Sequence, residues 1–154
     1  MENDQERAIE VLEKLRSVGI TIDDLVFVLS KINDSQEKQK AYEQRIHAYL
    51  TKLGIPSNLR GREFITKMLL YMHENANKRM SMEEIYKAVT DKYGYKKQNV
   101  ERCVRSAIGA MQKNGDAEFI NQTFRNNFSK QTGSIPNSKF IRLLHENLEM
   151  EKDL

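Results

Sequence analysis

Residues 81–115 read SMEEIYKAVTDKYGYKKQNVERCVRSAIGAMQKNG, and this stretch decides the fold class. Ser81 followed three positions later by Glu84 is a capping box: the serine oxygen accepts from the Glu84 amide while the Glu84 carboxylate reaches back. Ile85, Ala88 and Val89 supply an inner face, and Gly94 breaks the helix after Tyr93. Val100, Val104, Ala107, Ile108 and Met111 then resume the 3.6-residue period before Gly115 ends it. Two helices joined by a tight turn result, a helix-turn-helix. On the second, Gln98, Glu101, Arg102, Arg105 and Ser106 fall away from the apolar stripe. Arginine can donate twice to guanine O6 and N7, glutamine can pair with adenine, and glutamate can accept from cytosine N4. Lys96, Lys97 and the helix N-terminus add attraction for phosphate. The competing reading is an exposed charge cluster with Glu101 and Arg105 paired at i, i+4.

Upstream, Ala8, Val11, Leu12, Leu15 and Val18 predict a short amphipathic helix stopped by Gly19. Thr21 with Asp24 three places on resembles a capping box, and Leu25, Val28, Leu29 and Ile32 continue a helical stripe. Residues 33–40 carry no hydrophobic side chain. They are either a linker or the exposed turns of a helix running through Tyr42, Ile46, Tyr49, Leu50 and Leu53 to Gly54. After the Gly-Ile-Pro turn, Phe64, Ile65, Met68, Leu69 and Met72 predict a helix central to the core. Downstream, Asn137 or Ser138 should cap a last helix through Phe140, Ile141, Leu143, Leu144 and Leu148. Its apolar surplus covers either the domain's own core or a contact between two copies. The expected class is all-α: a compact helical bundle containing the helix-turn-helix, preceded by one or two N-terminal helices. The expected division is 1–44 as an acidic helical segment and 45–154 as the DNA-binding domain.

Charge supports that division. The net charge of +3 averages over ten acidic and six basic residues in 1–44, net −4, and nineteen basic against twelve acidic in 45–154, net +7. Between 95 and 142 nine basic side chains face three acidic ones, the excess expected of a surface that meets phosphates.

From Ile46 to Leu148 the chain resembles the C-terminal effector domain of the master sporulation response regulator of endospore-forming bacteria. Three segments carry the resemblance: Leu53-Gly54-Ile55-Pro56 with Arg60-Gly61, Val100 to Ile108, and Pro136-Asn137-Ser138-Lys139-Phe140-Ile141. The resemblance implies a bundle of about six helices, with Glu101, Arg102 and Arg105 contacting bases and phosphates. The sequence departs from the family pattern in three places. Cys103 stands where the family has alanine, Ser106 where it has histidine, and Lys97-Gln98-Asn99 where it has Ala-Ser-Arg, so sequence preference at one edge of the site should differ. The resemblance also implies a receiver of about a hundred residues, for which the 44 preceding residues leave no room. Activity would then be either constitutive or controlled by a partner, with residues 1–44 as the candidate docking or dimerisation element.

Other chemistry finds no support in the sequence. Cys103 is the only cysteine, which excludes an internal disulfide and a cysteine-based zinc site. Cys103 beside Arg102 reads as inert filler rather than a reactive thiol. His47, His73 and His145 stand in no ligand pattern, and Asp23 and Asp24 read as first-turn acids favoured by the helix dipole. There is no phosphate loop or nucleophile motif, and no catalytic, cofactor or metal site is expected. No apolar run spans a bilayer and no signal peptide is evident, so a cytoplasmic location is expected. The expected partner is double-stranded DNA, read through Lys96, Lys97, Gln98, Asn99, Glu101, Arg102, Arg105 and Ser106. A homodimer on tandem sites and a protein partner for residues 1–44 are further candidates. The alternative is an interaction module that modulates a related full-length regulator without reading DNA itself.

Overall fold

A computed structural model describes residues 2–129 and 132–152. Among these residues there are seven helices and no strand: α1 (Glu2–Ser17), α2 (Ile22–Lys52), α3 (Arg60–Glu74), α4 (Met82–Tyr93), α5 (Lys97–Asn114), α6 (Ala117–Phe124) and α7 (Asn137–Lys152). The chain divides into two compact units, Met1–Lys40 and Ala41–Leu154.

In the first unit, α1 stops at Gly19 and α2 begins behind a reciprocal cap. The Asp24 carboxylate accepts from the Thr21 amide at 2.9 Å and its hydroxyl at 2.8 Å, while the hydroxyl accepts from the Asp24 amide at 3.2 Å. The Thr21 amide, and then its hydroxyl, hold the Asp24 carboxyl below its ordinary proton affinity. The polar stretch 33–40 is helical, because α2 runs unbroken from Ile22 to Lys52.

The second unit is built around α3, which packs against α4, α5 and α7. Phe64, Ile65, Met68 and Leu69 of α3 meet Val104, Ala107 and Ile108 of α5 and Phe140, Ile141 and Leu144 of α7 in one buried cluster. Phe140, Ile141, Leu144 and Leu148 of α7 belong to that cluster and Leu143 is half-buried against it, while Met150 in the last turns is exposed. The surplus of α7 is therefore core. Its cap differs from expectation. The Pro136 carbonyl accepts the first helical bond, from Phe140 at 3.0 Å, so the helix starts at Asn137. Asn137 is thus freed to donate its side-chain amide to the Glu101 carbonyl of α5 at 2.9 Å.

Two close approaches set the position of α5. A Cβ on Gly61 would lie 2.1 Å from the Cys103 carbonyl oxygen, so only glycine lets α3 come this near. At the other end, a Cβ on Gly115 would lie 2.3 Å from the Leu53 carbonyl oxygen. The turn carrying Leu53 is itself held by a buried cation. Arg62, 7% exposed, donates to the Ile55 carbonyl at 2.6 Å, the His47 carbonyl at 2.9 Å and the Thr51 hydroxyl at 2.8 Å. These acceptors cluster at the C-terminal end of α2, where the helix dipole favours positive charge.

Candidate nucleic-acid interface

The helix-turn-helix is built as its capping residues require. Ser81 and Glu84 form the reciprocal box, both bonds at 3.2 Å, and Gly94 closes α4 in the left-handed conformation. Tyr95 in the turn packs edge-on against Phe64 of α3, with ring centroids 4.9 Å apart. Val100, Val104 and Ala107 are fully buried, which fixes the face that α5 turns outward.

The outward face carries Gln98, Arg102, Arg105 and Ser106, all exposed, at positions that a 3.6-residue period places on one stripe. Gly109 continues the stripe and is exposed, with no atom within 4 Å of where a Cβ would stand. Arg102 and Arg105 form no ion pair or hydrogen bond within the described residues. The Glu101–Arg105 pair required by a self-neutralised charge cluster is therefore not formed. Glu101 is half-buried, and its backbone is engaged by Asn137.

The first turn of α5 is electrostatically unusual. Lys96 is its N-cap and makes no side-chain cap bond, and the first turn contains no acid. By contrast α4 has Glu83 and Glu84 with its box, and α6 has the Asp116 cap. Free N–H groups at the positive end of the α5 dipole are thus flanked by exposed Lys96 and Lys97, an arrangement that an anion would relieve. Asn99 is exposed in the same turn. Lys97 has a partner inside the domain, since its Nζ lies 2.6 Å from Glu83 Oε2. That ion pair, with Glu83 first and then the nearby Glu101 acting, raises the proton affinity of Lys97 and ties α4 to α5.

Beside Arg105 opens a cavity of about 530 Å³. Its lining includes Tyr86, Glu101, Ser134, Asn137 and Ser138. Of these five residues only Glu101 belongs to the site that the sequence points to. Pro136 to Ile141 was visible as a family segment, but nothing local in it shows that it folds back onto α5.

The remaining residues singled out in the sequence lie elsewhere. Cys103 is half-buried, with its carbonyl against Gly61. His73 and His145 converge on Glu149 of α7: His73 Nδ1 is hydrogen-bonded to Glu149 Oε1 at 2.6 Å, whereas His145 Nε2 stands 3.5 Å from the same oxygen without a hydrogen bond. Tyr42 stacks on His73, centroids 3.6 Å apart.

Residues 46–148 match the family model described as sporulation initiation factor Spo0A C terminal. The match spans the helical bundle from the buried part of α2 through α7 and includes the whole helix-turn-helix. This is a family of DNA-binding transcription-regulator domains of sporulation rather than of enzymes, and its all-helical fold is the one observed. The chain belongs to the Spo0A C-terminal effector-domain family.

Proposed function

We propose that this protein is a sequence-specific DNA-binding regulator that lays α5 in the major groove and reads base edges through Gln98, Arg102, Arg105 and Ser106. The carrying observation is the stripe itself: exposed guanidinium, amide and hydroxyl groups on one face of a well-packed helix, neither arginine engaged in an ion pair or hydrogen bond among the described residues. Arginine is the commonest guanine reader, and the major groove admits one helix. Lys96, Asn99 and the bare α5 N-terminus are assigned to phosphate, setting the register of the helix. Lys97 serves as the α4–α5 tie and adds to the positive field, while Glu101 stands at the edge of the reading face. Family membership supports DNA as the partner, and the basic excess of the domain supports it independently.

The alternative, a module acting only on another regulator, draws support from the apolar side chains exposed on α1 and α2. Selection from a random duplex pool with the full chain tests the choice. Enrichment of a defined motif is expected, and a pool that stays random under conditions where the protein binds duplex would refute sequence reading.

A further inference from the structure

Residues 3–40 contain no buried side chain. Eleven large apolar residues there are exposed, from Ile20 at 38% to Val18 at 71%, and α1 and α2 do not pack along their length. Only Leu15 and Leu25, near the turn, are half-buried. A two-helix segment with no core of its own cannot offset the cost of ordering.

The spacing on each helix is specific. Ala8, Val11 and Leu15 on α1 with Val18 just past its end, and Ile22, Leu25, Leu29 and Ile32 on α2, both step 3, 4, 3, which is the a/d seam of a coiled coil. Leu12 on α1 and Val26 and Val28 on α2 widen the seams to the stripe expected of helices in a bundle. Both helices of the hairpin therefore ask for helical partners.

We infer that the occupant is a second copy of this chain, the two 1–40 hairpins forming an intermolecular four-helix bundle. Three observations select it. Within Ala41–Leu154 the exposed large apolar side chains among the described residues are Tyr93 and Met150, so that unit offers no surface of matching size. The hairpin itself does. Its exposed apolar area is on the order of 1,000 Å² per chain, against the roughly 800 Å² per partner of a standard stable interface. Residues 1–40 also carry nine acidic against six basic side chains, which disfavours an anionic membrane surface as the cover. Along α1 the charge complements itself. Acids Asp4 and Glu6 lie toward its start and Lys14 and Arg16 in its last turn, so antiparallel pairing of two α1 helices sets unlike charges side by side. Such a bundle would tether two α5 helices and raise the effective concentration of the second one on paired sites.

Sedimentation equilibrium of the full chain tests this, with Leu29→Glu on α2 and Leu12→Glu on α1 as variants. The wild type is expected at twice its 18.0 kDa mass. Each variant is expected at 18.0 kDa with an unchanged tyrosine-monitored melt, since all six tyrosines lie beyond residue 40 and both leucines are exposed. A monomeric wild type would overturn the inference, and so would a dimer that survives both replacements. A monomeric wild type that floats with phosphatidylcholine vesicles would overturn it in favour of a lipid cover. None of these outcomes depends on DNA binding.

Discussion

Replacing Gly61 with alanine probes what seats α5. The added methyl would stand 2.1 Å from the Cys103 carbonyl oxygen, 2.7 Å from its carbon and 2.8 Å from the Ala107 Cβ. Two of these are backbone atoms, which cannot turn aside, and a carbon–oxygen contact relaxes only beyond about 3.3 Å. Helices α3 and α5 must then part by roughly 1 Å, loosening Val104 and Ala107, which are fully buried. Overpacking of this kind costs about 1–3 kcal/mol. The opposing gain from alanine over glycine is at most about 1 kcal/mol and is smaller in the first turn of α3, where Gly61 sits. The net expectation is a loss of about 1–2 kcal/mol, read as a fall in Tm of roughly 4–10 °C for a domain of this size. Gly109→Ala is the control, because the same methyl there meets nothing within 4 Å on an exposed turn of α5. It should stabilise by about 0.5–1 kcal/mol. Thermal melts followed by tyrosine fluorescence report the domain alone. A Gly61→Ala protein as stable as wild type would show that the α3–α5 approach does not set the helix position.

Three further outcomes follow from the same packing. Leu144→Glu places a charge at a site with no exposure and should unfold the domain, a loss above about 4 kcal/mol seen as absent cooperativity in the melt. Arg62→Met removes the donor to two carbonyls and a hydroxyl; leaving them unsatisfied should lower stability by roughly 3 kcal/mol in a denaturant titration. Burial lowers the proton affinity of His145 against the opposing pull of Glu149. A folded pKa below the unfolded 6.5 means its contribution is complete above pH 6.5 and is lost as pH falls through the folded value. Tm should therefore decline on acidification below about pH 6.5, and His145→Gln should flatten that decline.

The sequence made some of this architecture readable and hid the rest for physical reasons. The Ser81 box, the Gly94 stop and the α5 stripe are local patterns, and local hydrogen bonds and periodicity formed them as expected. Residues 33–40 are helical, yet periodicity has no signal without apolar residues, although Gln36, Glu37, Lys38 and Gln39 are good helix formers. Helix α6 escaped because it has only eight residues, and its Asp116 cap follows Gly115 so closely that the two signals read as one loop. Asn137 looked like a cap, yet its amide reaches α5 thirty-six residues away. The same holds for Gly61 against Cys103 and Gly115 against Leu53, which are contacts of backbone with backbone and leave no trace in hydrophobic spacing. At the candidate interface the exposed stripe was legible. That Lys97 is tied to Glu83, and that Arg102 and Arg105 are unpaired, required the fold.

The most direct test of base reading by α5 is the specificity ratio of Arg105→Ala, and separately of Arg102→Ala, on the selected duplex against a scrambled one, by fluorescence anisotropy at fixed salt. At least one variant should lose about 1–3 kcal/mol on the selected duplex, roughly 5- to 150-fold, with little change on the scrambled duplex, so that the ratio collapses. Both variants keeping the wild-type ratio, whether binding is unchanged or is weakened equally on both duplexes, would contradict base reading by α5.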